Sequence, residues 1–242
     1  CCDREIQSCK QISTSCKLRK AILLLTVIIG LAACKKEVTK FVDQDKVWTS
    51  YELFYDQNVD KTYATATFKF SNELGTALQL SEPSTVTVDG SEMEWSDETA
   101  SYHKEYAGLH PTAIFNWIDL NGNSFTNTID VRDIEYPSSW ADTLFHADSI
   151  TLFSWDGLPL DSFETVRLTL DGEGTSDARI FSVDSVGATT ITIDSTLLSQ
   201  VDSGLVQLIL DKTYSPNLQE ETSRGGLLVG KYRPTNGSVF LD

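Results

Sequence analysis

From residue 47 onward, apolar and polar residues alternate with the two-residue period of β-strands, and helical periodicity is almost absent. Between Thr62 and Ser71, Ala64, Ala66, Phe68 and Phe70 share one face while Thr65, Thr67 and Lys69 share the other, which predicts a half-buried strand. Val86 and Val88 alternate with Thr85 and Thr87 as far as Asp89-Gly90. That dipeptide tolerates the left-handed backbone of a tight hairpin, and Met93 and Trp95 alternate on the return. Ala113, Phe115 and Trp117 repeat the pattern, and Asn121-Gly122 turns the chain toward Phe125–Val131.

The pattern breaks at Ile134 to Trp140 (IEYPSSW), where Pro137 cannot donate to a ladder and two serines stand beside it. Seven candidate strands follow: Ile150–Phe153, Val166–Leu170, Ile180–Val183, Thr189–Ile193, Leu205–Leu210, Leu227–Tyr232 and Ser238–Leu241. Asp194 or Ser195 is placed to cap one helical turn through Leu197, Leu198 and Val201, which Gly204 ends. Seven short strands in this length suit an immunoglobulin-like sandwich. The predicted architecture is therefore all-β, with two immunoglobulin-like antiparallel β-sandwich domains at 47–134 and 140–242. A single larger sandwich or barrel is the alternative.

The first 46 residues follow different rules. Lys17, Arg19 and Lys20 precede Ala21–Ala33 (AILLLTVIIGLAA), an uncharged apolar run of 13 residues. A spanning helix needs about 20 such residues, so the run has the length of a signal-peptide core. It ends in Leu31-Ala32-Ala33-Cys34, which resembles the lipobox of bacterial lipoproteins. The resemblance implies that a signal peptidase recognises Leu31, Ala32 and Ala33, cuts before Cys34, and that this cysteine carries diacylglycerol. Lys35-Lys36-Glu37 is similar to the lysine-plus-acid signal of Bacteroidetes-type surface lipoproteins, although that pattern usually has one lysine and two acids. The implied address is the bacterial outer membrane, lipid-anchored and facing the cell surface, with its periplasmic face as the alternative. Residues 35–46 are polar and read as a tether. Residues 1–16 read as an upstream extension; they hold Cys1, Cys2, Cys9 and Cys16, so Cys34 is the only cysteine after the signal peptide.

Charge narrows the partners. The chain carries −16 overall, and its first 33 residues hold five basic and two acidic side chains, which leaves −19 for residues 34–242. A surface of that sign repels nucleic acid and anionic lipid headgroups, so membrane association is assigned to the anchor and no nucleic-acid partner is expected.

Candidate chemistry is sparse. His103, His110 and His146 match no metal-binding spacing, and neither H-E-x-x-H nor G-x-S-x-G occurs. Asp171, Glu173 and Asp177 lie in one glycine-containing stretch of seven residues, a cluster of hard oxygens that could take Ca²⁺, though a solvated hairpin is the favoured reading. No other cofactor is expected. Asp119-Leu120-Asn121-Gly122-Asn123 begins like an EF-hand loop, but Ser124 stands where that loop needs glycine, so a β-turn is the better reading. Of the five tryptophans, Trp95 and Trp117 share the core parity of their strands. Trp155, next to Asp156-Gly157 and opposite in parity to Ile150 and Leu152, is the better candidate for ligand contact, although core burial remains the favoured reading even there.

Two functions remain in view. One is a non-catalytic binding or interaction module for a glycan or an envelope protein. The other is a secreted hydrolase, such as a glycosidase with a carboxylate pair in an inter-domain cleft. A pocket with two carboxylates about 5 to 9.5 Å apart would favour the hydrolase, and a flat aromatic patch without one would favour binding.

Overall fold

The computed structural model describes residues 37–137, 144–172, 174 and 178–242. Leu31, Ala32, Ala33, Cys34, Trp140, Glu173 and Asp177 lie outside the described residues. The first strands are β1 (Glu37–Val38), β2 (Val47–Asp56), β3 (Lys61–Phe70), β4 (Leu78–Gln79), β5 (Thr85–Val88) and β6 (Ser91–Glu92). Then come β7 (Glu94–Ser96), β8 (Ser101–Ala107), β9 (Thr112–Ile118) and β10 (Ser124–Asp130). The C-terminal half adds β11 (Leu144–Phe145), β12 (Thr151–Ser154), β13 (Glu164–Gly172) and β14 (Arg179–Val183). It closes with β15 (Thr190–Ile193), β16 (Gly204–Tyr214), β17 (Gly226–Arg233) and β18 (Gly237–Leu241). Helix α1 (Ser195–Leu198) is a single turn, capped by the Asp194 carboxylate accepting from Thr196 N–H.

The fold is all-β, and each of the seven strands expected after the connector is present. Local turn chemistry explains much of it. Asp89 and Gly90 both have positive φ, 51° and 73°, as a two-residue turn between β5 and β6 requires. Gly122, also left-handed, sits in the turn between β9 and β10.

Two layers enclose the N-terminal core. A four-stranded sheet in the order β10-β9-β5-β6 packs on one stretch of a ten-stranded sheet. Tyr51, Leu53, Phe68, Val86, Phe115 and Trp117 interdigitate between them. Each such side chain contributes about 1.5–3 kcal/mol through burial. The Trp117 indole N–H donates to Ser84 Oγ at 3.1 Å, so its polar atom is satisfied in the core. The C-terminal core gathers Phe145, Phe153, Trp155, Leu168, Leu170, Phe181, Ile191, Leu208 and Leu210 around the other stretch of the large sheet, the β12–β15 pair and Leu198 of α1.

The large sheet is common to both cores. It runs β11-β18-β16-β17-β2-β3-β8-β7, with β13 on the other edge of β16 and β14 beyond it. The joint is a parallel pairing of β17 with β2 across eight register positions, Gly226↔Thr49 to Arg233↔Asp56. Leu228 from this joint belongs to the N-terminal core, and Tyr55 from β2 belongs to the C-terminal one. Two glycines of β17 permit close backbone approaches, Gly226 to β2 and Gly230 to β10. A Cβ on Gly226 would stand 2.0 Å from the Thr49 carbonyl oxygen, and one on Gly230 2.0 Å from that of Asp130. Of the connector expected at 134–140, Ile134 and Tyr136 pack into the C-terminal core and residues 138–140 lie outside the described residues; the two cores share one sheet.

Residues 37–46, read from the sequence as part of a tether, are folded onto the body. β1 pairs in parallel with β4, and Gln44 is buried, donating to the carbonyls of Thr39 and Val42 while accepting from Leu120 N–H. The cause of the difference is polar burial: satisfied amides and hydroxyls pack here without the apolar pattern that marks a strand.

A buried charge network also ties the halves. Glu164, 3% exposed, accepts from the Arg132 guanidinium at 2.8 Å and stands 3.4 Å from Lys212 Nζ. Arg132 in turn lies over the Tyr214 ring at 3.5 Å. Burial pushes the Glu164 carboxyl upward, but Asp161 N–H, Arg132 and Lys212 outweigh it and hold the group below the ordinary carboxylate range.

Candidate binding face

The inward side of β2 and β3 is apolar, so their alternate residues form a face that looks outward. Strand register fixes the neighbours on it. Lys231, Phe54, Tyr63 and Glu105 form one row across β17, β2, β3 and β8; Glu52, Thr65, His103 and Glu94 form the next across β2, β3, β8 and β7. Four strand spacings separate β17 from β7, an extent of about 19 Å.

Two aromatic rings occupy the middle of the first row. Phe54 and Tyr63 lie with centroids 6.2 Å apart and planes at 29°, both half-buried on a face whose other side chains are mainly polar, with Leu227 and Val229 of β17 as apolar neighbours by register. The Lys231 ammonium sits 4.8 Å from the Phe54 centroid and the Arg233 guanidinium 5.4 Å from it. Phe54 is thereby braced beneath two cations, and Tyr63 is the open ring of the pair. Both cations are held in turn by Asp211: Arg233 donates Nε–H and NH2 to its two oxygens at 2.8 and 3.0 Å, and Lys231 stands 3.4 Å away. The fork to Asp211 raises the Arg233 pKa further above its usual value. On the other side of Tyr63, Lys61 Nζ donates to Glu105 at 2.7 Å. Burial pushes the Glu52 carboxyl up, with Lys231 opposing it.

Past Tyr63 the face opens into a cleft of about 530 Å³ at the sheet edge, lined by Glu92, Glu94, Trp95, Ser96, His103 and Glu105 among others. The short β7 leaves this part of β8 uncovered. His103 Nε2 lies 2.7 Å from Ser101 Oγ and 2.5 Å from Thr99 Oγ1, while Nδ1 faces the Thr65 hydroxyl at 3.4 Å. Burial lowers the His103 pKa. A hydroxyl stands where a nucleophile–histidine pair would have its orienting carboxylate, and Ser101 is buried, so the trio acts as a hydrogen-bonded brace of the cleft wall.

The other histidines serve structural contacts. His110 stacks flat on Tyr106 at 4.1 Å, and both hydrogen-bond Asp89 Oδ2 at 2.9 Å. Burial raises the Asp89 carboxyl, but Ile114 N–H, Tyr106 and His110 outweigh it and hold the group below its ordinary value. His146 Nδ1 is 2.8 Å from Asp242.

The residues singled out in the sequence fall elsewhere. Trp155 is 6% exposed and packs in the C-terminal core, its indole N–H 3.4 Å from the Leu158 carbonyl oxygen, so its face is not offered to a ligand. Trp48 and Trp117 are buried as well, and Trp95 is half-buried against Tyr102 at 5.0 Å. Exposed rings also stand at Phe41, Phe70, Phe163 and Phe240, but Tyr63 and Phe54 are the stacked pair on this sheet face. Parity held the signal: Tyr63 shares the face of Thr65, Thr67 and Lys69. Of the Ca²⁺ candidates, Asp171 lines an open cleft with Leu205, Gln207, Asn236 and Ser238, while Glu173 and Asp177 lie outside the described residues. No group of three or more His, Cys, Asp or Glu side chains is arranged for a metal ion among the described residues. Asp119 is committed within its own turn, accepting from the N–H groups of Asn121 and Asn123 and from the Asn123 amide, as the β-turn reading requires.

No family model and no curated protein matches this chain. Among solved structures, a Bacteroides ovatus mixed-linkage glucan utilization locus protein, SGBP-B, in complex with a mixed-linkage heptasaccharide, is similar at 10% identity and a TM-score of 0.23. The similarity covers 83% of this chain and 61% of that one. The FN1–FN3 domains of chicken CNTN1 are similar at 10% identity and a TM-score of 0.22, over 76% of this chain and 66% of that one. Superpositions this loose carry no argument about what the chain binds.

Proposed function

We propose that this chain is an exported, lipid-anchored module that binds a glycan on the outer face of its large sheet and performs no chemistry on it. The observation that carries the reading is the Tyr63–Phe54 ledge. An open phenol ring, backed by a second ring and bordered by fixed hydrogen-bonding groups, suits the mixed apolar and hydroxylated surface of a sugar. The charges that steady the ledge are bound to one another rather than aimed at a reacting centre.

The address rests on the signal-peptide resemblance and on Cys34. Cys34 stands three residues before Glu37, the first described residue, so lipid on it would hold the body close to its membrane. Replacing Cys34 by Ser should abolish incorporation of a labelled fatty acid, and undiminished labelling would remove the anchor from the account.

A glycan array probed with the intact chain and with Tyr63→Ala tests the binding reading. Signals that vanish in the variant support it. Retention of bound glycans by the variant, or capture of an envelope protein through this face with no glycan signal, would overturn it.

A further inference from the structure

Taking the ledge as a glycan site, we infer that its ligand is an uncharged, extended polysaccharide, and that acidic glycans bearing carboxylate or sulfate are excluded by the ion pairing of the face itself. The inference rests on the binding reading above and adds a substrate class to it.

An anionic sugar needs a cation with free donors, because burying its charge against unmatched or like charges is costly. Three cations border the ledge, and each is engaged. Arg233 spends its fork on Asp211, Lys231 stands beside that same carboxylate, and Lys61 donates to Glu105. Arg167, the register partner of Asp211 in the β13–β16 pair, is exposed two strands beyond β17, away from the ledge. Lys104, at the cleft, has the opposite parity to its neighbours and leans over Tyr106 at 5.5 Å. Glu52, Asp56 and Glu94 share the outward face by register, so with Glu105 and Asp211 five carboxylates stand on it, against Lys61, Lys231, Arg233, Arg167 and Lys69, whose ammonium donates to the Glu73 carbonyl oxygen. The wider field has the same sign, since residues 34–242 carry −19. At the ledge a polyanion therefore meets paired cations and, from the chain as a whole, long-range repulsion.

A neutral sugar meets something different. The ring of Tyr63 offers an apolar surface, and the fixed carboxylates and hydroxyls around it accept and donate to hydroxyl groups with no charge to compensate. The face is also open from β17 to β7. Its extent of about 19 Å admits a chain lying across the strands rather than one terminal sugar in a closed pocket.

The test is affinity electrophoresis of the intact chain in gels containing neutral polysaccharides (xyloglucan, glucomannan, dextran) or acidic ones (polygalacturonate, alginate, heparin). Retardation by at least one neutral polymer and none of the acidic ones is the expected result. Its strength should change less than about threefold between about 0.01 and about 1 M NaCl, over which the screening length falls from about 30 to about 3 Å. Retardation by an acidic polymer that salt weakens about tenfold or more would overturn the inference while leaving a glycan-binding face in place. No retardation by any polymer would overturn the binding reading and this inference with it. A second arm uses Glu105→Gln, which frees Lys61 at an exposed pair and spares the core. That variant should gain salt-sensitive retardation by polygalacturonate. Absence of the gain would show that ion pairing is not what excludes acidic chains, and would overturn the inference.

Discussion

Leu228→Ala tests how far the two cores depend on the sheet they share. Leu228 is fully buried in the N-terminal core, yet the strand that carries it belongs to the C-terminal half of the chain. Truncating a buried leucine costs about 2–5 kcal/mol, through lost transfer energy and the cavity left behind. For a folded unit of this size, about 3 kcal/mol lowers Tm by roughly 6–12 °C. The β17–β2 ladder adds coupling of its own: at about 0.5–1.5 kcal/mol net per hydrogen bond, eight register positions are worth on the order of 4–12 kcal/mol. That is comparable with the whole stability of an ordinary domain, about 5–15 kcal/mol. Scanning calorimetry of the intact chain should show one transition that Leu228→Ala moves as a whole. A fragment limited to 47–134 lacks both Leu228 and the ladder and should show no cooperative melting. Two wild-type transitions of which the variant moves only one, or a fragment 47–134 that melts cooperatively, would refute the coupling and favour two independent domains.

Two further perturbations address the charged contacts. Asp89→Asn keeps a residue that tolerates the left-handed turn but removes the charge that Tyr106 and His110 address, and should cost about 1–2 kcal/mol at neutral pH. Because the folded Asp89 pKa is depressed, its contribution is present above the unfolded value of about 3.9 and is lost as pH falls through the folded one, so the wild-type advantage should shrink on acidification. A difference that stays constant or grows toward low pH, measured by urea titration, would contradict this. Glu164→Gln leaves Arg132 and Lys212 beside an uncharged side chain, and should destabilise by about 3–5 kcal/mol in the same assay. A change within about 0.5 kcal/mol would mean that the network is solvated rather than buried.

Much of the fold was legible because local rules and tertiary structure agree here. Val86, Val88, Phe115 and Trp117 alternate in the sequence and are buried in the structure, Asp89-Gly90 turns as its backbone tolerance suggests, and Asp194 caps α1. The parallel joint of β17 with β2 was not legible. Its partners are separated by most of the chain, and its signature, Gly226 giving a close backbone approach to Thr49, resembles an ordinary loop in one dimension. The folding of residues 37–46 was hidden for the converse reason, since Thr39 and Gln44 are buried through hydrogen bonds rather than apolarity. The ledge was half legible. Tyr63 stands out by parity, but Phe54 lies within the run Leu53-Phe54-Tyr55, where the alternation alone cannot say which face each ring takes.

The central claim is that Tyr63, backed by Phe54, is where a sugar chain meets this protein. Titration calorimetry with a neutral oligosaccharide selected on the array tests it most directly, comparing the intact chain with Tyr63→Ala/Phe54→Ala and with Leu152→Ala, an exposed apolar position on another strand. Central aromatic side chains cost more than about 1 kcal/mol each when truncated at a binding surface, so the double variant should bind roughly 30-fold or more weakly while Leu152→Ala binds as the wild type does. Equal affinities for all three proteins, with the double variant shown to be folded by its melting curve, would contradict the account.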